Sequence, residues 1–126
     1  MQPDFLKKKL GKEGEAAAAD YLKGKGYQVL ERNYRCRLGE VDLIAEKGTD
    51  LFFIEVKTRR SQQAVSPLEL VPYPKQVHIS KVAQHYMAVK KPEGRNGRFA
   101  LIVVDSSGPD PSLEFYPDIF ELAWGY

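Results

Sequence analysis

The sequence predicts an α/β fold, a mixed central β-sheet flanked by helices. Its elements run in the order helix, three strands, helix, two strands. Three observations carry that expectation. Two apolar, β-prone runs at 41–45 and 51–56 flank a short polar break, the signal of a β-hairpin. An alanine run at 16–19 and an apolar stripe at helical spacing over 79–87 place a helix on each side of the hairpin. The run Phe99-Ala100-Leu101-Ile102-Val103-Val104 is apolar at every position, as in a strand buried on both faces. A chain of 126 residues is long enough for one core and too short for two, so a single domain over 1–126 is expected.

Residues 1–10 are basic, with Lys7, Lys8 and Lys9 in a row. They read as a flexible arm or as an extension of the first helix, and as a solvated charge run ahead of a dedicated DNA contact. Residues 11–23 read as a helix closed by Gly24 and Gly26. Glu15 lies four residues before Ala19 and seven before Leu22, so it points to the packed side. A carboxylate in a first turn also complements the helix dipole.

Residues 26–36 alternate loosely and read as a strand, with a turn near Arg37-Leu38-Gly39. The hairpin follows. A turn with Gly48 in its first central position fixes the pairing by counting outward. Lys47 then faces Asp50, Ile44 faces Phe53, Asp42 faces Glu55 and Glu40 faces Lys57. Opposed side chains stand roughly 5 Å apart. Three acids and one amine would thus share one patch of sheet, with Val41, Leu43, Phe52, Ile54 and Val56 forming the core on the other face. Two close carboxylates repel unless a cation sits between them, and Mg²⁺ is typically held by one or two carboxylates plus water and phosphate. The alternative is an exposed hairpin laced with cross-strand ion pairs.

After Arg59-Arg60, the polar segment 61–66 reads as a mobile loop. Pro67, Pro72 and Pro74 exclude a regular helix over 68–73, and Pro74 suits the start of one running to about Lys90. Ile79, Val82, Ala83, Tyr86 and Met87 are its packed stripe. Lys75 stands at the N-terminal end of that stripe, poised for a phosphate, for the acidic cluster, or to snorkel at a helix edge. His78 and His85 lie off the stripe and read as exposed side chains. Residues 98–105 and 112–116 are the last two strands, and 117–124 reads as an irregular or short helical tail whose Phe120, Leu122 and Trp124 cap the core or meet a second subunit.

Composition narrows the class further. The formal net charge is +2, which does not announce a nucleic-acid binder. Residues 1–60 hold 13 Lys or Arg against 10 Asp or Glu, and the remainder holds 6 against 7. The small positive excess therefore lies in the half that carries the acidic cluster, as a polyanionic substrate would favour. The lone Cys36 allows no internal disulfide, and no Cys/His spacing suggests zinc. No secretory leader or membrane span is expected, and the simple reading is a cytoplasmic protein with no membrane partner.

An Asp heading one strand and Glu-X-Lys in the next resemble the PD-(D/E)xK nuclease signature. The matching residues are Asp42, Glu55 and Lys57, within Gly39-Glu40-Val41-Asp42-Leu43-Ile44 and Phe53-Ile54-Glu55-Val56-Lys57-Thr58-Arg59. With Gly11-X-X-Gly14-Glu15 and Asn33-Tyr34-Arg35-Cys36-Arg37, the pattern from Gly11 to about Glu121 resembles the YraN-type bacterial family, related in fold to Holliday junction resolvases. That resemblance implies a restriction-endonuclease-like fold and a Mg²⁺-dependent nuclease, with Mn²⁺ as a substitute. Its substrate would be DNA, branched or structured DNA among the candidates, and a homodimer would address both strands. Asp42 and Glu55 would hold the metal, with the Val56 carbonyl and Glu15 as further ligands. Lys57 would orient the attacking water or stabilise the oxyanion, Glu40 would position Lys57, and Arg59, Arg60 and Lys75 would contact phosphates. The chain departs from the pattern at Ala100, where relatives usually carry an acid. That departure motivates two alternatives, a non-catalytic nucleic-acid-binding module on the same fold and a protein-interaction subunit.

Overall fold

A computed structural model describes residues 4–59 and 66–123, with side chains from residue 11 onward. Helix α1 spans Asp4–Gly24, and strands β1, β2 and β3 span Gln28–Cys36, Gly39–Lys47 and Asp50–Arg59. A single 3₁₀ turn, Pro67–Leu70, leads to α2 at Tyr73–Lys90, and β4 (Asn96–Asp105) and β5 (Ser112–Phe120) complete the chain. The five strands form one sheet in sequence order. Only β3–β4 is parallel; the other three pairs are antiparallel. A parallel pair needs a crossover, and α2 lies in it. This is the expected α/β arrangement, a mixed sheet flanked by helices in the order αβββαββ, as in restriction-endonuclease-like folds.

The sheet buries both faces, which corrects the expectation of one apolar face behind an acidic one. Ala18, Ala19 and Leu22 of α1 cover Leu43, Ala45, Phe52, Ile54, Ala100, Ile102 and Val104. Ile79, Val82, Ala83 and Tyr86 of α2 cover Val41, Ile44, Leu51, Phe53, Phe99, Leu101 and Val103. The alanines of α1 leave no bulk between helix and sheet. Gly14 carries this furthest: a Cβ there would lie 2.1 Å from Thr58 Oγ1 on β3. The first helix is thus seated against the strand that carries Glu55 and Lys57.

The hairpin pairs as counted from its turn. Lys47 faces Asp50 and Ile44 faces Phe53, and the ladder runs to Leu43 opposite Ile54. Gly48 has φ 61°, a left-handed conformation that glycine adopts without strain.

Of the two readings of the basic segment, the helical one holds for residues 4–10, which continue α1. One boundary differs from expectation. Residues 117–120 continue β5, where an irregular tail was expected. The sequence signal was broken by Pro117, but β5 is an edge strand, where a missing N–H costs no ladder bond. Phe120 holds its end by stacking on Phe99, with ring centroids 4.8 Å apart. Beyond it, the Ala123 N–H donates to Ser80 Oγ at 2.9 Å. Trp124 lies outside the described residues, as does most of the expected loop at 61–66. Among the described residues, no helix is long and apolar enough to cross a membrane.

Candidate metal centre

The site forms where the alternation of β2 slips. Val41 packs on the α2 side and Leu43 on the α1 side, although they are two residues apart. Asp42 lies between them. On the neighbouring strand, Arg32 faces Leu43 and Tyr34 faces Val41, which leaves Asn33 across from Asp42. Asn33 has φ 53°, a left-handed conformation that Asn tolerates better than most residues. The slip frees the Asp42 carboxylate from the regular ladder. Its Oδ2 accepts the Val56 N–H at 2.8 Å, one residue past Glu55.

Glu55 is 6% exposed, one of three buried polar or charged residues among those described. The Asp42 carboxyl lies close enough to act on it. Burial foremost, then the neighbouring Asp42 carboxyl, push Glu55 up to about 8. Lys75 and Lys57 act the other way, each favouring the ionised form. Lys75 Nζ lies 3.4 Å from Glu55 Oε2. The first turn of α2 thus aims an ammonium at the acid in the centre of the sheet.

Glu15 approaches from α1, a consequence of the close seating at Gly14. Burial and the Asp42 charge raise its pKa, while the nearby Asn33 amide and the charge of Arg32 lower it. Glu15, Asn33 and Asp42 line one open cavity of about 550 Å³, together with Gly11, Lys12, Arg35 and Glu40. Sequence reasoning did not single out Lys12, and Asn33 and Arg35 entered it only within the motif Asn33-Tyr34-Arg35-Cys36-Arg37.

The remaining candidates divide. Glu40 does not pair with Lys57 as expected. The β2–β3 ladder ends at Leu43, and Glu40 turns to β1, where its carboxylate accepts the Arg35 Nε–H at 2.9 Å. Arg59 closes the far end of β3. It lies 3.6 Å from Asp105 and 3.5 Å from Glu114, tying together three strands. The Asp105 carboxyl sits below the usual range, chiefly through hydrogen bonds from Ser107, with Arg59 adding to the effect. Arg60 lies outside the described residues. His78 is exposed and His85 half-buried. Ala100 is buried under α1 in the apolar cluster, facing Ile54 along the parallel ladder.

Among the described residues, no group of three or more His, Cys, Asp or Glu side chains stands ready to hold a metal ion. Asp42 and Glu55 supply two carboxylates, which is the complement Mg²⁺ ordinarily takes from protein. The fit rests on charge: burial and the neighbouring Asp42 carboxylate make the ionised Glu55 costly, and a dication between the two would offset that cost.

Comparisons with known proteins follow the same residues. The family model described as "Uncharacterised protein family UPF0102" matches residues 14–104, a span that holds Glu15, Asn33, Asp42, Glu55, Lys57 and Lys75. A "UPF0102 protein" of Syntrophus aciditrophicus is 44% identical over 115 residues, covering 91% of each chain. Another, of Geobacter metallireducens, is 42% identical over 117 residues, covering 93% of this chain and 96% of the relative. A third, of Dictyoglomus thermophilum, is 44% identical over 115 residues, covering 90% of this chain and 98% of the relative.

Proposed function

The chain belongs to the uncharacterised protein family UPF0102, and from the site it carries we propose that it is a Mg²⁺-dependent nuclease that hydrolyses phosphodiester bonds of DNA, with branched or structured DNA as the favoured substrate. One observation carries this reading. The buried Glu55 carboxyl lies beside the Asp42 carboxyl, with Lys75 3.4 Å away and Lys57 acting on the same group. A buried carboxyl beside a second acid is costly to keep, and a purely structural role would be met more cheaply by an apolar side chain.

Asp42 and Glu55 would hold the ion, and Mn²⁺ would substitute for it. When bound, the ion neutralises charge at the scissile phosphate and acidifies water. The chain's own groups then have separable tasks. The Val56 N–H fixes the Asp42 carboxylate. Lys75 keeps Glu55 inclined to ionise. Lys57, next along the same strand face, is the candidate to orient the attacking water or stabilise the charge that develops on the phosphate. Glu15 is a further candidate ligand from α1. The DNA contacts proposed for Lys75 and Arg59 are secondary to their internal pairs, and Arg60 remains a candidate. A homodimer would let a domain of this size address two strands.

The test is Mg²⁺-dependent cleavage of a labelled four-way junction. Wild type should cut, while Asp42→Asn and Lys57→Ala should not cut and should remain folded. Equal cleavage by all three points to a contaminant and rejects the proposal. The second reading, a non-catalytic nucleic-acid-binding module, is favoured by Ala100, a buried methyl where relatives usually carry an acid. Salt-sensitive junction binding without cleavage in Mg²⁺ or Mn²⁺ would select it.

A further inference from the structure

We propose that Arg35 and Lys12 grip the DNA backbone beside Asp42, and that the Glu40 carboxylate holds Arg35 at the site until a phosphate replaces it. The proposal deepens the nuclease reading and rests on it.

Two cations that the sequence pattern suggested for phosphate are tied up inside the fold. Lys75 lies 3.4 Å from Glu55, and Arg59 meets Asp105 and Glu114. Lys12 and Arg35 stand differently. They come from separate elements, α1 and the edge strand β1, and line the same cavity as Asp42. Lys12 is exposed, and no ion pair among the described residues includes it. Arg35 donates to Glu40 at 2.9 Å, with 77% of its side chain exposed and 49% of that of Glu40. A pair so open to water contributes little to stability. A phosphate can therefore take the place of Glu40 at small cost, and the guanidinium fork suits it.

The Arg35–Glu40 pair also marks a path. A second cavity of about 380 Å³, lined by Arg35, Cys36, Gly39 and Glu40, shares that pair with the first. Glu40 precedes Asp42 by two residues, about 7 Å along an extended strand. Successive phosphates of an extended nucleic-acid strand are spaced on this order. A phosphate at Asp42 thus places its neighbour at Arg35, with Lys12 on the helix wall of the same cavity. The side chains lining that cavity include three acids, Glu15, Glu40 and Asp42, against these two cations. Removing the charge of Glu40 should therefore help a polyanion enter.

The test is binding of a labelled four-way DNA junction to the full chain across a range of salt concentrations, in EDTA so that nothing is cut, with thermal midpoints alongside. Arg35→Ala and Lys12→Ala should each weaken binding and reduce the salt slope by about one, as loss of a phosphate contact does, at an unchanged midpoint. Glu40→Gln keeps an acceptor for Arg35 and removes the competing charge. It should bind more tightly than wild type, and the gain should shrink in the Arg35→Ala background. A wild-type salt slope in either alanine variant, a fall in midpoint that accounts for the lost binding, or binding by Glu40→Gln no tighter than wild type overturns the grip. If wild type still cuts the junction in Mg²⁺, the nuclease reading survives that result, with its DNA contacts elsewhere. Neither binding nor cleavage by wild type overturns the nuclease reading, and this proposal with it.

Discussion

The Asp42 carboxylate accepts the N–H of Val56 at 2.8 Å, which seats it beside the buried carboxyl of Glu55, and both acids sit where the regular pairing of β2 with β3 has just ended at Leu43 and Ile54. That relationship joins fold to chemistry. The hairpin brings the two strands together, the slip at Asp42 releases one acid from the ladder, and burial beside that acid disfavours the ionised form of Glu55.

The proton linkage has a definite sign. Glu55 is raised from an ordinary value of 4.5 to about 8, so between those limits the folded chain retains a proton that the unfolded chain has lost. Its contribution to stability is full below about pH 4.5 and is lost as pH rises through 8. In the metal-free protein the loss should approach 1.4 kcal/mol per pH unit at its steepest, the limit for one proton. Urea unfolding from pH 4 to pH 9 measures it. Glu55→Gln should flatten the slope in this window. Lys75→Ala should extend it to higher pH, because Lys75 favours the ionised form.

Added Mg²⁺ must displace that proton. Its stabilising effect should therefore grow with pH. The rise in thermal midpoint at a fixed Mg²⁺ concentration is expected to be larger at pH 8 than at pH 6. Asp42→Asn should abolish the rise at both.

Gly14 permits the contact that seats α1. Gly14→Ala would bring a Cβ to 2.1 Å from Thr58 Oγ1. Despite the better helix propensity of alanine, the variant should lose about 1–3 kcal/mol, the usual cost of overpacking. Thr58→Ala added to it should recover part of the loss. Both values come from urea denaturation at constant pH.

Much of this was legible in the sequence because the periods are strong. The turn at Gly48 set the register as far as Leu43 opposite Ile54, and the stripe from Ile79 to Met87 located α2. Counting failed beyond that point. It assumed that β2 alternates without interruption, and so paired Glu40 with Lys57. In the fold, Asp42 interrupts the alternation and Glu40 bonds to Arg35 on the other neighbouring strand. No side-chain pattern encodes that slip except the left-handed Asn33 opposite. Arg59 was similarly read as a phosphate contact, because the acids it meets, Asp105 and Glu114, lie far along the chain.

That difference has a consequence for Arg59. Arg59→Ala removes the group that ties β3 to β4 and β5. It should lower the thermal midpoint, with any fall in DNA affinity tracking the loss of folded protein. A phosphate-contacting residue would instead reduce the salt dependence of binding while leaving the midpoint unchanged.

Loss of Lys57 should be chemical rather than structural. It is half-buried at the end of the site, and Lys57→Ala should reduce cleavage by about 10²–10³-fold, the scale of one electrostatic stabiliser. Substrate binding and thermal midpoint should stay near wild type. Single-turnover cleavage at saturating enzyme separates the two effects.

The most direct measurement is anomalous diffraction from crystals soaked in Mn²⁺. One peak bridging the carboxylates of Asp42 and Glu55, absent in Asp42→Asn, is the predicted result. Crystals of the wild-type chain that take up Mn²⁺ elsewhere, or show no peak between those two carboxyls at high Mn²⁺ and pH 8, would contradict the metal centre.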